Sequence, residues 1–238
     1  MTKLFCISDV HGFYDEMIKA LNDAGFEPDN PDHLLIGLGD YIDRGRQPMQ
    51  VVRYLHNLPN KVLIKGNHED LFEECCRRGF PYNHDVSNGT YDTIICINAS
   101  NHFDIEDEYE YAGKRLRPFI RELRNYYETE NYIFCHAWIP LKDDTSVDPD
   151  WRNASAKSWE KARWTNPFKA GDKGLLPDKT IAFGHWGTID QWTSVGKESY
   201  DPYFGYKYIG IDGCTVVSGQ VNCLVLEDNL LKGSDNDV

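Results

Sequence analysis

The sequence predicts an α/β protein built on a largely parallel, helix-covered sheet. Two patterns carry that expectation. Apolar, β-branched-rich runs alternate with segments of helical spacing through the first third of the chain, the β-α-β-α-β order that parallel strands require. Five of the apolar runs also stop abruptly at a carboxylate, an amide or an imidazole, as expected where the carboxyl edge of such a sheet offers ligand-binding groups.

In chain order, the expected strands are Leu4 to Ile7, Leu34 to Leu38, Val62 to Ile64, Tyr132 to Cys135, Ile181 to Phe183, Tyr208 to Ile211 and Val221 to Leu226. Between the first two, Phe13, Met17, Leu21 and Ala24 recur at helical spacing and stop before Gly25. Between the second and third, Val51, Val52, Leu55 and Leu58 follow Pro48, a residue suited to a first helical turn. A further helix is expected from about Lys114 to Glu128, with Leu116, Phe119, Ile120, Leu123 and Tyr127 on one face, and a short one near Ser155 to Trp164 in the loop-rich stretch from Pro140 to Lys179. Residues 80–113 are rich in Asn, Asp, Glu and Tyr, with one brief apolar stretch at Ile94 to Ile97, and read as an insertion or cap. The expected organisation is one domain over residues 1–228 and a solvated, flexible tail at 229–238.

Composition narrows the function classes. With 41% hydrophobic and 13% aromatic residues, 238 residues can bury a substantial core, and no apolar stretch reaches the roughly 18 residues a membrane span needs. A net charge of -13 disfavours nucleic acid, because no basic run offsets it, and suits a protein that attracts cations. Seven cysteines without a C-x-x-C pair argue against a thiolate zinc knuckle and for a reducing compartment. The expectation is a cytoplasmic protein with no nucleic acid or membrane partner.

The stretch LIGLGDYIDRGRQP, residues 35–48, poses the chemical question, since a strand-like run ends in Asp40, Asp43, Arg44 and Arg46. Buried charges must pair or bind something. Asp9 and His11 follow the first strand, Asn67 and His68 the third, His136 ends the fourth and His185 follows the fifth. Carboxylates, imidazoles and an amide oxygen without thiolates suit manganese, iron(II) or zinc. One ion could not use them all, whereas two ions sharing Asp40 could, as in pairs that clamp both oxygens of a phosphoryl displacement. Glycines at 12, 39, 45 and 66 would let the backbone approach such ions.

The blocks SDVHG (8–12), GDYIDRG (39–45), GNHED (66–70), FCHAWIP (134–140) and FGHWGT (183–188) resemble, in order, those of the phosphoprotein phosphatase family of calcineurin-like metallophosphoesterases, in its bacterial and phage form. The resemblance implies a four-layer α/β/β/α sandwich around a central pair of mixed sheets. It implies that Asp9, His11 and Asp40 hold one divalent ion and Asp40, Asn67, His136 and His185 a second, manganese being expected and iron(II) or zinc the alternatives. It further implies His68 as general acid, Asp43 as its partner, Arg44 as a fork onto phosphate oxygens, and an in-line attack by a metal-bridging hydroxide. The second phosphate-binding arginine has no clean motif; Arg163 is the candidate and Arg152 the reserve.

The implied activity is hydrolysis of phosphoserine and phosphothreonine monoesters in proteins, with small phosphoesters as surrogates. GHWG is similar to bacterial diadenosine tetraphosphate hydrolases of the same family, which makes a dinucleoside polyphosphate hydrolase the nearer alternative. A non-catalytic phosphate-binding module is the other. Ordinary structural roles are expected for His33, His56, His84 and His102, for Arg46 as a solvated charge, for Asp212 as a turn acid, and for the acidic patch from Asp104 to Glu110.

Overall fold

The computed structural model describes residues 1–99 and 105–231. The first half alternates β1 (Thr2–Ile7), α1 (Tyr14–Asp23), β2 (His33–Gly37), α2 (Pro48–Asn57), β3 (Lys61–Leu63) and α3 (Asn67–Arg78). Three more helices follow, α4 (Asn83–Ser87), α5 (Thr90–Asn98) and α6 (Ile105–Ile120). The second half begins with β4 (Tyr126–Glu128), β5 (Tyr132–Cys135) and a small hairpin of β6 (Leu141–Asp143) and β7 (Ser146–Val147). It continues through α7 (Ala156–Ala162), α8 (Pro167–Asp172), β8 (Thr180–Phe183), α9 (Ile189–Ser194), β9 (Tyr203–Gly205), β10 (Tyr208–Gly210), α10 (Thr215–Ser218) and β11 (Cys223–Asp228).

Two mixed sheets stack face to face. One has the order β11-β1-β2-β3, in which β1, β2 and β3 run parallel and β11 is an antiparallel edge; the other has the order β4-β5-β8-β10-β9, in which β5, β8 and β10 run parallel between the antiparallel edges β4 and β9. Strand alternation explains the continuous apolar runs. Leu4 and Cys6 join Phe134, Ala182 and Ile209 in the core between the sheets, while Phe5 and Ile7 turn to the other face and pack with Met17, Leu21 and Val51 of the covering helices. On the far side Ile133, Cys135, Ile181 and Phe183 meet Trp159 of α7 and Phe168 of α8. The result is the expected α/β/β/α order. No helix among the described residues is long and apolar enough to cross a membrane.

One helix placement changes. The helix placed from Lys114 to Glu128 lies instead at Ile105–Ile120, and Tyr126–Glu128 is a strand. Leu116, Phe119 and Ile120 do bury on a helical face, but Tyr127 pairs antiparallel with Phe134, so cross-strand pairing overrides the helical period that ran through it. Residues 80–113, expected as an insertion or cap, are helical wherever described apart from short turns, and Ile94, Ile97, Tyr109 and Ala112 join the core that covers the first sheet. Of the expected tail, Leu230 bridges to Thr129, and residues 232–238 lie outside the described residues.

Candidate metal centre

The strand ends deliver their polar residues to one edge, and the turns that follow are interlocked. The backbone amides of Asp9, His11 and Gly12 donate to the carbonyls of Gly39, Asp40 and Tyr41, and Gly45 donates back to His11. Such tight turns force left-handed backbone. Asp9, His11, Asp40, Asp43, Arg44 and His185 are six of the eight non-glycine residues with positive φ among those described. Each costs on the order of 1 to 3 kcal/mol, strain that is characteristic of functional sites.

Asp40 is the centre. One atom each from His11, Asp40 and His68 lie within 4.8 Å of one another, and so do atoms from Asp40, His136 and His185. The His11 and His136 Nε2 atoms stand 3.7 and 3.5 Å from Asp40 Oδ2. Asp9 Oδ1 lies 4.0 Å from His11 Nε2, and Asn67 Oδ1 lies 2.8 Å from His136 Nε2. Every ligand expected from sequence is therefore in this cluster.

The donor set fits two cations on tautomer grounds. His11 Nδ1 faces the Ile42 carbonyl at 3.0 Å and His136 Nδ1 faces the Leu38 carbonyl at 2.7 Å. A carbonyl can only accept, so each imidazole places its proton on Nδ1 and turns a bare Nε2 inward. At His136 that lone pair meets the Asn67 and Asp40 oxygens, three acceptors converging on one point, which a cation satisfies.

Electrostatics separate the four histidines. Burial pushes the pKa of His11 and His136 down, and that of His185 down to about 3 with His136 adding to the effect. His68 goes the other way, because Asp40 and Asp43 outweigh its burial. Its Nδ1 lies 2.7 Å from Asp43 Oδ2. Asp40 is buried too, yet the surrounding imidazoles hold its carboxyl below the usual range. Arg44 bridges the pair of rings, with Nη1 2.9 Å from His11 Nε2 and Nη2 3.1 Å from His68 Nε2.

Arg163 reaches the neighbourhood from the end of α7, buried, with Nε donating to Asp70 Oδ2 at 2.6 Å and Nη1 to Asn125 Oδ1 at 3.0 Å. Arg152 does not reach it. It pairs with Glu128 and Asp178 and stacks on Trp151, so it leaves the list of candidates.

Several residues exceed what the sequence suggested. Asp212, expected as a turn acid, is buried and shares a cavity of about 230 Å³ with His11, Arg44 and His185; burial with Asp40 nearby raises its pKa to about 6. Glu69 accepts from the amides of Asp40, Tyr41 and Gly66 at 3.0, 2.9 and 2.9 Å and so ties the second and third turns together. A Cβ on Gly66 would stand 2.1 Å from Asp40 Oδ1, which is why that block needs its glycine. Glu69 lies inside GNHED, but only the folded chain shows what it holds. His33 and His56 keep ordinary roles, against Phe5 and Glu122, whereas His102 lies outside the described residues.

A profile of calcineurin-like phosphoesterases matches residues 2–211. The chain belongs to the calcineurin-like phosphoesterase family. Within that family it is 26% identical over 208 residues to serine/threonine-protein phosphatase 2 of Salmonella typhimurium, covering 83% of this chain and 85% of that one. It is 42% identical over 66 residues to the symmetrical bis(5'-nucleosyl)-tetraphosphatase of Salmonella paratyphi B, 27% of this chain and 23% of that one. The crystal structure of a candidate diadenosine tetraphosphatase shares the fold with a TM-score of 0.61 at 16% identity, over 98% of this chain and 95% of that one. Like its family, this calcineurin-like phosphoesterase is a metal-dependent phosphoesterase with a dinuclear metal-binding site.

Proposed function

We propose that the chain hydrolyses dinucleoside polyphosphates, using two divalent ions, manganese by preference, held by Asp9, His11, Asp40, Asn67, His136 and His185. The observation that carries this reading is a pair of partly exposed indoles beside the centre. Trp164 and Trp186 are 49% and 38% exposed, and both meet the His185 ring edge to face, at 6.0 and 6.5 Å. Large aromatic faces left in water beside a phosphate site suit nucleobases, which stack on them. Trp186 also lines the 230 Å³ cavity with Val216, Val217, His11 and Arg44, so an apolar wall and a guanidinium share one space.

Two bound ions would supply Lewis-acid activation of water and of the phosphoryl oxygens. The residues do the rest. Arg44, freed from its imidazole contacts, would fork onto phosphate oxygens and neutralise charge in the transition state. Once Arg44 leaves His68 Nε2, that nitrogen would carry a proton toward the leaving oxygen, while Asp43 holds the ring and its positive form through Nδ1. Arg163 stands by as a second phosphate contact, oriented by Asp70 and Asn125.

A phosphoprotein phosphatase is the second reading, supported by the likeness over most of the chain to the Salmonella typhimurium phosphatase. Turnover of diadenosine tetraphosphate and of a phosphoserine and phosphothreonine peptide panel, with manganese added, separates the two. The dinucleotide is expected to give the higher kcat/KM, and W186A to raise its KM about tenfold while leaving that of p-nitrophenyl phosphate alone. Clear preference for the peptides reverses the ranking.

A further inference from the structure

Asp43 is fully buried, and among the described residues three side chains donate to its carboxylate. Oδ2 accepts from His68 Nδ1 at 2.7 Å and from Thr90 Oγ1 at 2.7 Å, and Oδ1 accepts from Thr93 Oγ1 at 2.8 Å. The Thr93 hydroxyl in turn accepts from the Asp43 backbone amide at 3.0 Å. Both threonines are buried and stand three residues apart on the first turn of α5, hence on one helical face. Their β-branched side chains are stiff at χ1.

The helix is pinned against this loop. Gly89, at φ 84°, precedes α5, and a Cβ there would lie 2.3 Å from the Arg44 amide nitrogen, so no other residue allows the same approach. Ile94 and Ile97 anchor the other end in the core with Phe72 of α3, the helix that carries His68. The two hydroxyls therefore reach Asp43 from a rigid support within the segment that the sequence marks as an insertion.

From this geometry we propose that Thr90 and Thr93 are positioning residues for proton transfer. They fix the Asp43 carboxylate so that one lone pair of Oδ2 points along the His68 Nδ1–H bond, which leaves His68 Nε2 aimed at the leaving oxygen. Without them the carboxylate can rotate, and the ring loses both its orientation and its counter-charge at the moment it gives up the proton. The inference rests on reading His68 as the general acid, and the experiment separates the two.

Aryl phosphates with poor and good leaving groups provide the readout, because only a poor leaving group needs a proton. For T93V, and more so for T90V/T93V, kcat on phenyl phosphate is expected to fall roughly tenfold to a hundredfold, with KM and turnover of 2,4-dinitrophenyl phosphate nearly unchanged. T90S and T93S, which keep the hydroxyl, should restore the phenyl phosphate rate. In the metal-free protein the downfield NMR signal of the His68 Nδ1 proton should shift in T93V and return in T93S.

Equal losses on both substrates without rescue by serine would mean a merely structural role and overturn the proposal. Unchanged rates in T93V, with H68N still selectively impaired on phenyl phosphate, would overturn it while leaving His68 as the acid. If H68N shows no leaving-group selectivity, the acid reading itself is wrong and the positioning role falls with it. Should the double variant fail to fold, the single variants T90V and T93V decide by the same comparison.

Discussion

The two halves of the metal centre are built differently. In the first half, the turns after β1, β2 and β3 are laced to one another by backbone hydrogen bonds and by Glu69, and five residues with left-handed backbone sit on the first two of them. The second half contributes two neighbouring histidines, their ring centroids 5.0 Å apart, and each is registered by the first half. His136 Nδ1 takes its partner from the Leu38 carbonyl, and the His185 amide donates to Asp9 Oδ2 at 2.9 Å. The first sheet thus supplies a strained scaffold, and the second docks ligands onto it.

That contrast predicts graded effects. Asp40→Asn, at the atom both groups share, should prevent loading of both ions and lower turnover by on the order of 10³ or more. Elemental analysis after dialysis against manganese checks this, and two bound equivalents would contradict a shared carboxylate. His136→Ala should weaken one ion roughly 10²-fold and leave the other, with the melting temperature of the metal-free protein little changed. Isothermal titration that shows both sites lost would mean the second sheet is part of the scaffold after all.

Glu69→Gln tests the scaffold itself. An amide cannot accept from all three backbone donors, so the metal-free protein should lose about 1 to 3 kcal/mol in urea unfolding. A loss near zero would remove Glu69 from that role. The smallest effect belongs to Arg152→Ala, which breaks a partly exposed pair with Glu128 and should cost about 1 kcal/mol or less with kcat and KM intact. A drop in kcat would return Arg152 to the site.

The candidate metal ligands were legible because each lies within a few residues of the end of an apolar run, so strand and candidate ligand are read from one short stretch. Thr90 and Thr93 gave no such signal. They lie in NGTYDT, a polar stretch with no strand before it, and their partner is 47 and 50 residues away. Arg163 could be named but not paired, since Asp70 is 93 residues distant. Tyr127 was misplaced because three residues of strand cannot outvote an apolar period that a helix also satisfies.

By itself, then, the sequence determined seven of the eleven strands among the described residues, the polar residues at their ends and the chemistry that set can hold, because apolar runs and abrupt strand termination are local properties. Only the tertiary structure decided which oxygens face which imidazoles, what secures Asp43, that Asp212 is buried and that two indoles flank His185. Those are contacts between distant segments, whose geometry is set by how the two sheets and their covering helices pack.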